Sequence, residues 1–412
     1  MLHIYNKQDF TAKTKLEMSP FFPRTSLLNQ SQEWRRWGGS LAATQYDLHH
    51  ENEYFAIRTK AALLDISPLY KYIINGPDAQ LFLDRLVTRN MQICKVGQVM
   101  YTPWCDEKGK VIDDGTVQRL GKNEFRLTSA EPNLTWLMDN TSGMNLCINE
   151  DTRTTAALAL QGPNSRTILN SISSKSLDNL KYFWLFKTNL QGIPVTISRT
   201  GYTGDLGYEI WMNPAQSIEL WDLLMEAGMP FGITPVGLHA LDMSRIEAAL
   251  ILLDVDYISS RHALIENRKS SPFELGLEWA VKLKGNDFIG KKVLALEKTE
   301  PSNWKFRGIE IQWGPLEKHY KKIGLPPDLP RTAWRTSTPL YYKKQQVGYA
   351  TSGSWSPILK RYIALAHIKA DYAEIGSLLD FEINVEHFRH LTPAVVVQTP
   401  FYNPERKRAC PK

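Results

Sequence analysis

Hydrophobic positions in this chain come in short runs, and their period changes along it. Lys71-Tyr-Ile-Ile-Asn75, Val99-Met-Tyr-Thr-Pro-Trp104, Val111-Ile-Asp-Asp-Gly-Thr-Val117, Asn123-Glu-Phe-Arg-Leu-Thr128, residues 154–160 and residues 193–198 are short and mostly bounded by Gly, Pro, Asn or Asp. That pattern predicts strands. Asp106-Glu-Lys-Gly109 supplies a turn between the second and third, making them a hairpin. Helical composition or spacing covers 49–62, 132–140, 215–227 and 236–250. In the third of these, Ile218, Trp221, Leu224 and Met225 recur along one face. Residue 286 opens a further helix. From about residue 303 the texture changes to β-type runs at 307–313, 339–342, 346–351, 362–368, 379–385 and 394–399. Gly, Pro and Lys-Lys turns separate them, as in a small antiparallel barrel or sandwich.

Two segments echo each other. Asn75-Gly-Pro-Asp-Ala-Gln-Leu-Phe-Leu83 and Gln161-Gly-Pro-Asn-Ser-Arg-Thr-Ile-Leu169 each leave a strand and open an amphipathic helix. They imply two similar α+β subdomains. The expected division is an N-terminal region over 1–275 of two interwoven subdomains, the second spanning about 68–150, then a connecting segment over 276–302 and a barrel over 303–412. Residues 1–35 read as a polar surface arm whose far end packs through Trp34, Trp37 and Tyr46. Residues 254–275 read as polar and irregular, and 405–412 as a basic, solvated tail.

Composition narrows the function classes. With 412 residues, 43% hydrophobic and 22% charged, the chain is long enough to bury a core without disulfides or metal. A net charge of +6 is mild at this length and does not argue for nucleic acid. Cys94, Cys105, Cys147 and Cys410 form no C-x-x-C pair and read as buried, reduced thiols. The histidines, including His387 and His390, lack metal-ligand spacing, so no metal is expected. No apolar run of about 20 residues is present and the N-terminus has no apolar leader. The expectation is a cytoplasmic protein with no membrane and no nucleic-acid partner.

The stretch richest in candidate chemistry is Arg199-Thr-Gly-Tyr-Thr-Gly-Asp-Leu-Gly-Tyr-Glu-Ile-Trp-Met212. Three glycines in seven residues, between two strand patterns, describe a strand–loop–strand whose loop faces something bound. A plain glycine-rich hairpin is the alternative. Tyr202, Asp205 and Glu209 sit on or beside the bend. A glutamate beside aromatic faces suits a flat heterocycle with several N–H donors. Asp113-Asp114 ends a strand, where neighbouring side chains point to opposite faces, so one carboxylate can face a pocket and exchange protons. A turn-terminating acidic pair is the alternative. Tyr101, thirteen residues earlier on the partner strand, can share the site.

These blocks together resemble a known family. Residues 199–210 are similar to the R-[TS]-G-Y-T-G-E-x-G-[YF]-E signature of the glycine-cleavage T-protein (aminomethyltransferase) family. Gly109-Lys-Val-Ile-Asp-Asp114 resembles its G-G-[VI]-[IL]-D-D segment. Leu160-Gln-Gly-Pro-Asn164, Arg245-Ile-Glu-Ala248, Asp287-Phe-Ile-Gly-Lys291 and Thr351-Ser-Gly-Ser-Trp-Ser-Pro357 follow in family order. The resemblance implies an α+β fold: a three-domain cloverleaf around a folate channel, with a C-terminal antiparallel β-barrel. It implies tetrahydrofolate as cofactor, Asp114 as the catalytic acid, and Glu209 as the carboxylate that holds the pteridine. Tyr101, Tyr202, Leu69 and Trp279 become folate-contacting positions.

Three departures fall on the substrate side. Leu241 replaces an arginine in Gly237-Leu-His-Ala-Leu-Asp-Met-Ser-Arg-Ile-Glu247, Ala130 stands where Asn is usual, and Arg36-Trp-Gly-Gly-Ser-Leu-Ala-Ala43 replaces an F-x-G-W-x-x-P motif. They favour a demethylase-like branch that takes a methyl group from a small N-, O- or S-methylated compound. The alternatives are an aminomethyltransferase acting on a lipoyl carrier protein, and a non-catalytic folate-binding protein of the iron–sulfur assembly type. The last carries a K-G-C-Y-x-G-Q motif, which does not occur here.

Overall fold

The computed structural model describes residues 16–285 and 287–410. Among the described residues a six-stranded sheet, a five-stranded sheet and a barrel, with a small three-stranded sheet near the N-terminal side, organise the chain, and helices pack between and around them in an α+β arrangement. The first sheet has six strands in the order Leu185–Leu190, Ile193–Ser198, Gly207–Met212, Ala156–Gln161, Ala61–Asp65 and Ile233–Pro235. The second has five, in the order Val99–Cys105, Val111–Arg119, Glu124–Ser129, Tyr70–Asn75 and Cys147–Glu150. The six C-terminal runs all form strands. Trp304–Ile311, Arg361–Lys369, Gln345–Ser356, Thr338–Tyr342, Leu378–Val385 and Phe388–Val397 close into a barrel, which leaves no free edge.

The period-2 pattern explains how the sheets are covered. On the six-stranded sheet, Leu158, Leu160, Tyr208, Ile210 and Met212 join one core with Ile168, Leu169, Leu220, Trp221 and Leu224 from helices Ser165–Ile172 and Ser217–Gly228. The other face turns inward with Ala157, Ala159 and Trp211, beside helices Glu51–Thr59 and Leu238–Glu247. On the five-stranded sheet, Tyr72, Ile74, Met100, Ile112, Val117, Phe125 and Leu127 pack against helix Ala79–Leu86. Its opposite face is polar.

Several expectations need correction. From residue 16 onward the supposed surface arm is folded; residues 1–15 lie outside the described residues. Glu17–Met18 pairs with Ser40–Leu41, and Phe21 is wholly buried 5.9 Å from Trp221. A buried ring of that size contributes roughly 1.5–3 kcal/mol, which a polar arm could not match. The tail is tied down as far as Cys410. Arg406 forms a two-pronged ion pair with buried Asp205, at 2.6 and 2.8 Å. Buried Arg199 donates to the carbonyls of Leu180, Arg406, Lys407 and Ala409. Only Cys94 and Cys105 are buried thiols; Cys147 and Cys410 are exposed. The helix Trp313–Lys321 and the strand Leu185–Leu190 have no forecast counterpart. The helix expected to open at residue 286 spans Lys291–Thr299, and residue 286 itself lies outside the described residues.

Residues 254–275, read as irregular, hold a buried cross-link to the barrel. Asp256 is buried and pairs with Arg245, while Arg245 Nε bonds Asp242 at 2.8 Å and Arg335 bonds the same carboxylate at 2.7 Å. The other oxygen of Asp256 accepts from Thr351 at 2.5 Å and Ser352 at 2.8 Å on a barrel strand. Removing one partner of such a pair strands a buried charge. Asp256→Ala is therefore expected to cost about 3–5 kcal/mol in urea unfolding; a loss below about 1 kcal/mol would mean that the pair does not fasten the barrel.

Candidate functional site

The polar face of the five-stranded sheet forms one wall of the site. Pro103 pairs with Asp114, Tyr101 with Thr116, and Val117 with Leu127, so Asp114, Tyr101, Thr116 and Thr128 share a face. The hydroxyls of Thr116 and Thr128 bond at 2.8 Å. Asp113 points the other way and is fully buried. It accepts from Asn133 Nδ2 at 2.9 Å and from the Glu131 amide at 3.1 Å. The two adjacent acids thus divide between structure and site.

Asp114 receives a hydrogen bond from the hydroxyl of Tyr257, and Tyr101 also bonds to it. Burial raises its pKa, the two phenols oppose that rise, and the charge of Asp256 adds to it. Tyr101 stacks on Trp279 with ring centres 5.6 Å apart; Trp279 is 52% exposed and Arg89 lies 5.7 Å from its ring. The Tyr202 hydroxyl donates to the Ile251 carbonyl, within the fields of Arg245 and Asp114. These residues form one connected group.

Glu209 and Leu69 belong to other parts of the same interior. Glu209 is on the inward face of the six-stranded sheet, where its Oε2 accepts from Thr200 at 2.7 Å and Ser198 at 3.4 Å. Among the described residues nothing donates to its Oε1. Burial pushes its pKa up, so a ligand with N–H groups would relieve an under-bonded carboxylate. Leu69 packs with Trp37, Leu241, Ala333 and Ile358 against the cluster that contains Trp211. An open carboxylate oxygen on one wall and stacked aromatic rings on the other fit a flat heterocycle with an N–H edge. Among the described residues no group of three His, Cys, Asp or Glu side chains could hold a metal. Among the described residues no helix is long and apolar enough to cross a membrane.

The glycine loop does not open onto the site in the way its composition suggests. A Cβ at Gly201 or Gly207 would lie 2.1–2.2 Å from the Gln161 side chain, and one at Gly204, with φ +75°, would meet Ala248 at 2.3 Å. The glycines let the loop close on its own scaffold, and Asp205 is consumed by Arg58 and Arg406. Tyr202, Glu209 and Trp211 are parts of this stretch that face the interior. Tyr257 and the Arg245–Asp256 pair escaped the sequence reading because the segment after residue 254 has no period; the acidic-aromatic run Asp254-Val-Asp-Tyr257 was the one available sign.

Comparison with known proteins agrees with this architecture. Residues 3–285 match the GCVT N-terminal domain, and residues 321–403 match the glycine cleavage T-protein C-terminal barrel domain. The chain is 36% identical over 353 residues to the aminomethyltransferase of Halothermothrix orenii, covering 85% of this chain and 90% of that one. It is 34% identical over 369 residues to the trimethylamine-oxide aldolase of Ruegeria pomeroyi, covering 86% of this chain and 43% of that one. The crystal structure of aminomethyltransferase T of the Bartonella henselae glycine cleavage system superposes with a TM-score of 0.79 at 22% identity, over 94% of this chain and 99% of that one. The chain belongs to the glycine cleavage T-protein family and has its fold, a cloverleaf with a closed C-terminal barrel. The family is one of transferases, and folate-dependent one-carbon transfer is its chemistry.

Because the folded chain raises the pKa of Asp114, the ionised form is disfavoured relative to the unfolded chain, where aspartate titrates near about 4. The associated stability is complete below that pH and declines as pH climbs through the folded value. Asp114→Asn is expected to melt higher than the parent protein at pH 8, with the gain vanishing toward pH 4. A melting difference constant across that range would contradict the assignment of a raised pKa.

Proposed function

We propose that this chain is a tetrahydrofolate-dependent transferase that takes a methyl group from a small N-, O- or S-methylated compound. The observation that carries the reading is the placement of Asp114. A half-buried carboxylate held by two phenols sits at the end of an inward-facing polar wall, beside stacked aromatic rings. In this reading Glu209 holds the N–H edge of the pteridine through its open oxygen. Tyr101, Tyr202, Trp279 and Leu69 contact the folate. Residues 1–275 form the folate-binding region, 276–302 connect, and 303–412 form the barrel.

Bound tetrahydrofolate supplies a secondary amine that accepts the one-carbon unit and releases one proton. Asp114 is the base that takes that proton, and the leaving group of the donor keeps the electron pair of the broken bond. A carboxylate with a raised pKa is suited to this role, because it holds the proton long enough to pass it on. Tyr257 acts on Asp114 alone, fixing the orientation of the carboxylate.

The small donor is favoured by what replaces the family arginine. Leu241 is half-buried and packs, as Trp37, Leu69, Ala333 and Ile358 do, against the apolar cluster that contains Trp211. The relative named trimethylamine-oxide aldolase also acts, by its name, on a small N-methylated compound. The aminomethyltransferase names at 33–36% identity, over about nine-tenths of those relatives, favour a second reading, with a lipoyl carrier protein as partner.

Incubating the protein with tetrahydrofolate and either a panel of methylated donors or an aminomethylated lipoyl carrier separates the two. A 5-methyl product from a small methyl donor is expected; a methylene product from the carrier alone selects the second reading. Asp114→Asn is expected to lower turnover by roughly a hundredfold or more while tetrahydrofolate still binds. Near-normal turnover would remove Asp114 from the chemistry. Tyr257→Phe takes a donor from the carboxylate and raises its pKa further, so the acid limb of the rate profile should move to higher pH.

A further inference from the structure

Beyond Asp114 the same polar wall continues to a pair of residues with no role so far. Gln118 pairs in register with Arg126, and alternation places both on the face that carries Asp114, Thr116 and Thr128. Gln118 is fully buried and Arg126 is 8% exposed. The Arg126 guanidinium reaches across to the opposite sheet, where its centre lies 5.1 Å from the Trp211 ring. Trp211 Nε1 bonds Ser198 Oγ at 3.2 Å, and the same hydroxyl bonds Glu209. Gln118 and Arg126 therefore stand at the Glu209 end of the space between the sheets.

Their hydrogen bonding is one-sided. Arg126 Nη1 donates to Gln118 Oε1 at 3.3 Å, which occupies the acceptor end of the amide and fixes its orientation. Among the described residues, Gln118 Nε2 and Arg126 Nε are buried with no partner. Arg126 Nη2 reaches Asp151 only at 3.8 Å. Burial lowers the pKa of Arg126, as for a cation whose charge is incompletely matched. Lys71 on the next strand cannot exchange roles with it, because its ammonium is spent on the carbonyls of Ser67, Leu69 and Thr152. Two buried donors and no free acceptor call for an oxygen acceptor.

We propose that Gln118 Nε2 and Arg126 Nε form an acceptor-selective subsite that binds the ring oxo group of the heterocycle whose N–H edge is held by Glu209. The inference rests on the folate reading above. It assigns the inner end of the site to an amino-pyrimidinone, with adjacent N–H donors and one carbonyl acceptor. A carboxylate and two fixed donors match that sequence of groups. An amino group in place of the oxo oxygen would bring donor against donor and leave three N–H groups unpaired, which is how polar sites reject a near-isosteric ligand.

Calorimetric titration of the full-length protein tests this. The probes are tetrahydrofolate, folic acid and aminopterin; the last two differ only in an oxo or amino group on that ring. The parent protein is expected to bind folic acid roughly tenfold or more tighter than aminopterin. Gln118→Leu should weaken tetrahydrofolate and folic acid roughly tenfold and leave aminopterin unchanged. Gln118→Glu, which replaces a donor by an acceptor, should narrow or reverse the preference. Melting temperatures of both variants report whether each is folded. If Gln118→Leu folds and keeps full tetrahydrofolate affinity, the two donors serve only ordered water and the subsite is overturned, while the folate reading stands. If tetrahydrofolate fails to bind the parent protein, the folate reading falls and takes the subsite with it.

Discussion

The buried pairing of Arg245 with Asp256 is the constraint on which the geometry of the site depends. It joins a helix, an aperiodic segment and a barrel strand through charged groups almost wholly removed from water. A buried ion pair is weak evidence of stability, since its attraction must offset two desolvation penalties. Its value here is positional. Burial works against the charge on Arg245, but Asp256 and Asp242 outweigh it and keep the guanidinium protonated. Each of these charged groups then faces an opposite charge, while Arg245 Nη2 has no hydrogen-bond partner among the described residues. Tyr257 follows Asp256 directly in the chain, so fixing the ion pair also fixes the phenol that bonds Asp114.

A second network does the same for the other wall. Arg58 bonds Glu247 at 2.6 Å and the Thr203 carbonyl at 2.8 Å, and Glu247 accepts from Tyr54 and from Ser356 of the barrel at 2.5 Å. Asp205 adds Arg406 from the C-terminal segment. The loop that carries Tyr202 and leads to Glu209 is thus held from behind by helix, barrel and tail. Site residues on loops are positioned only as well as the shell behind them, and here that shell is ionic and remote in sequence.

This explains what could be read from the sequence. Strands announced themselves through period 2, and the barrel through six such runs, because a half-buried strand must alternate. The Asp113–Asp114 pair was legible for the same reason: adjacent strand positions face opposite ways. Tyr101 and Asp114 could be joined because a hairpin fixes their register locally. Tyr257 could not, since it reaches Asp114 across 143 positions from a segment without period. The glycines misled in the opposite direction. Their spacing signals close approach, and sequence alone cannot say whether the approaching group is a ligand or, as at Gly201 and Gly207, the Gln161 side chain. The tail looked solvated because its lysines and arginines dominate its composition, yet its backbone carbonyls are what Arg199 binds.

The two inward sheet faces and the apolar cluster beside them hold their side chains by different kinds of interaction. Asp114, the threonines and Glu209 lie on regular strands, where register fixes a side chain to within a fraction of the strand spacing. Leu69, Trp37, Leu241 and Ala333 come from loops, a short edge strand and a helix, packed only through apolar contact. Apolar surrounds tolerate changes of shape at a cost below that of a misplaced buried charge. Strand-borne polar groups therefore resist change more than the apolar surround of the cluster that Leu241 packs against. In this chain the polar groups on the strands and the apolar groups beside them are separated by the kind of interaction that holds each in place.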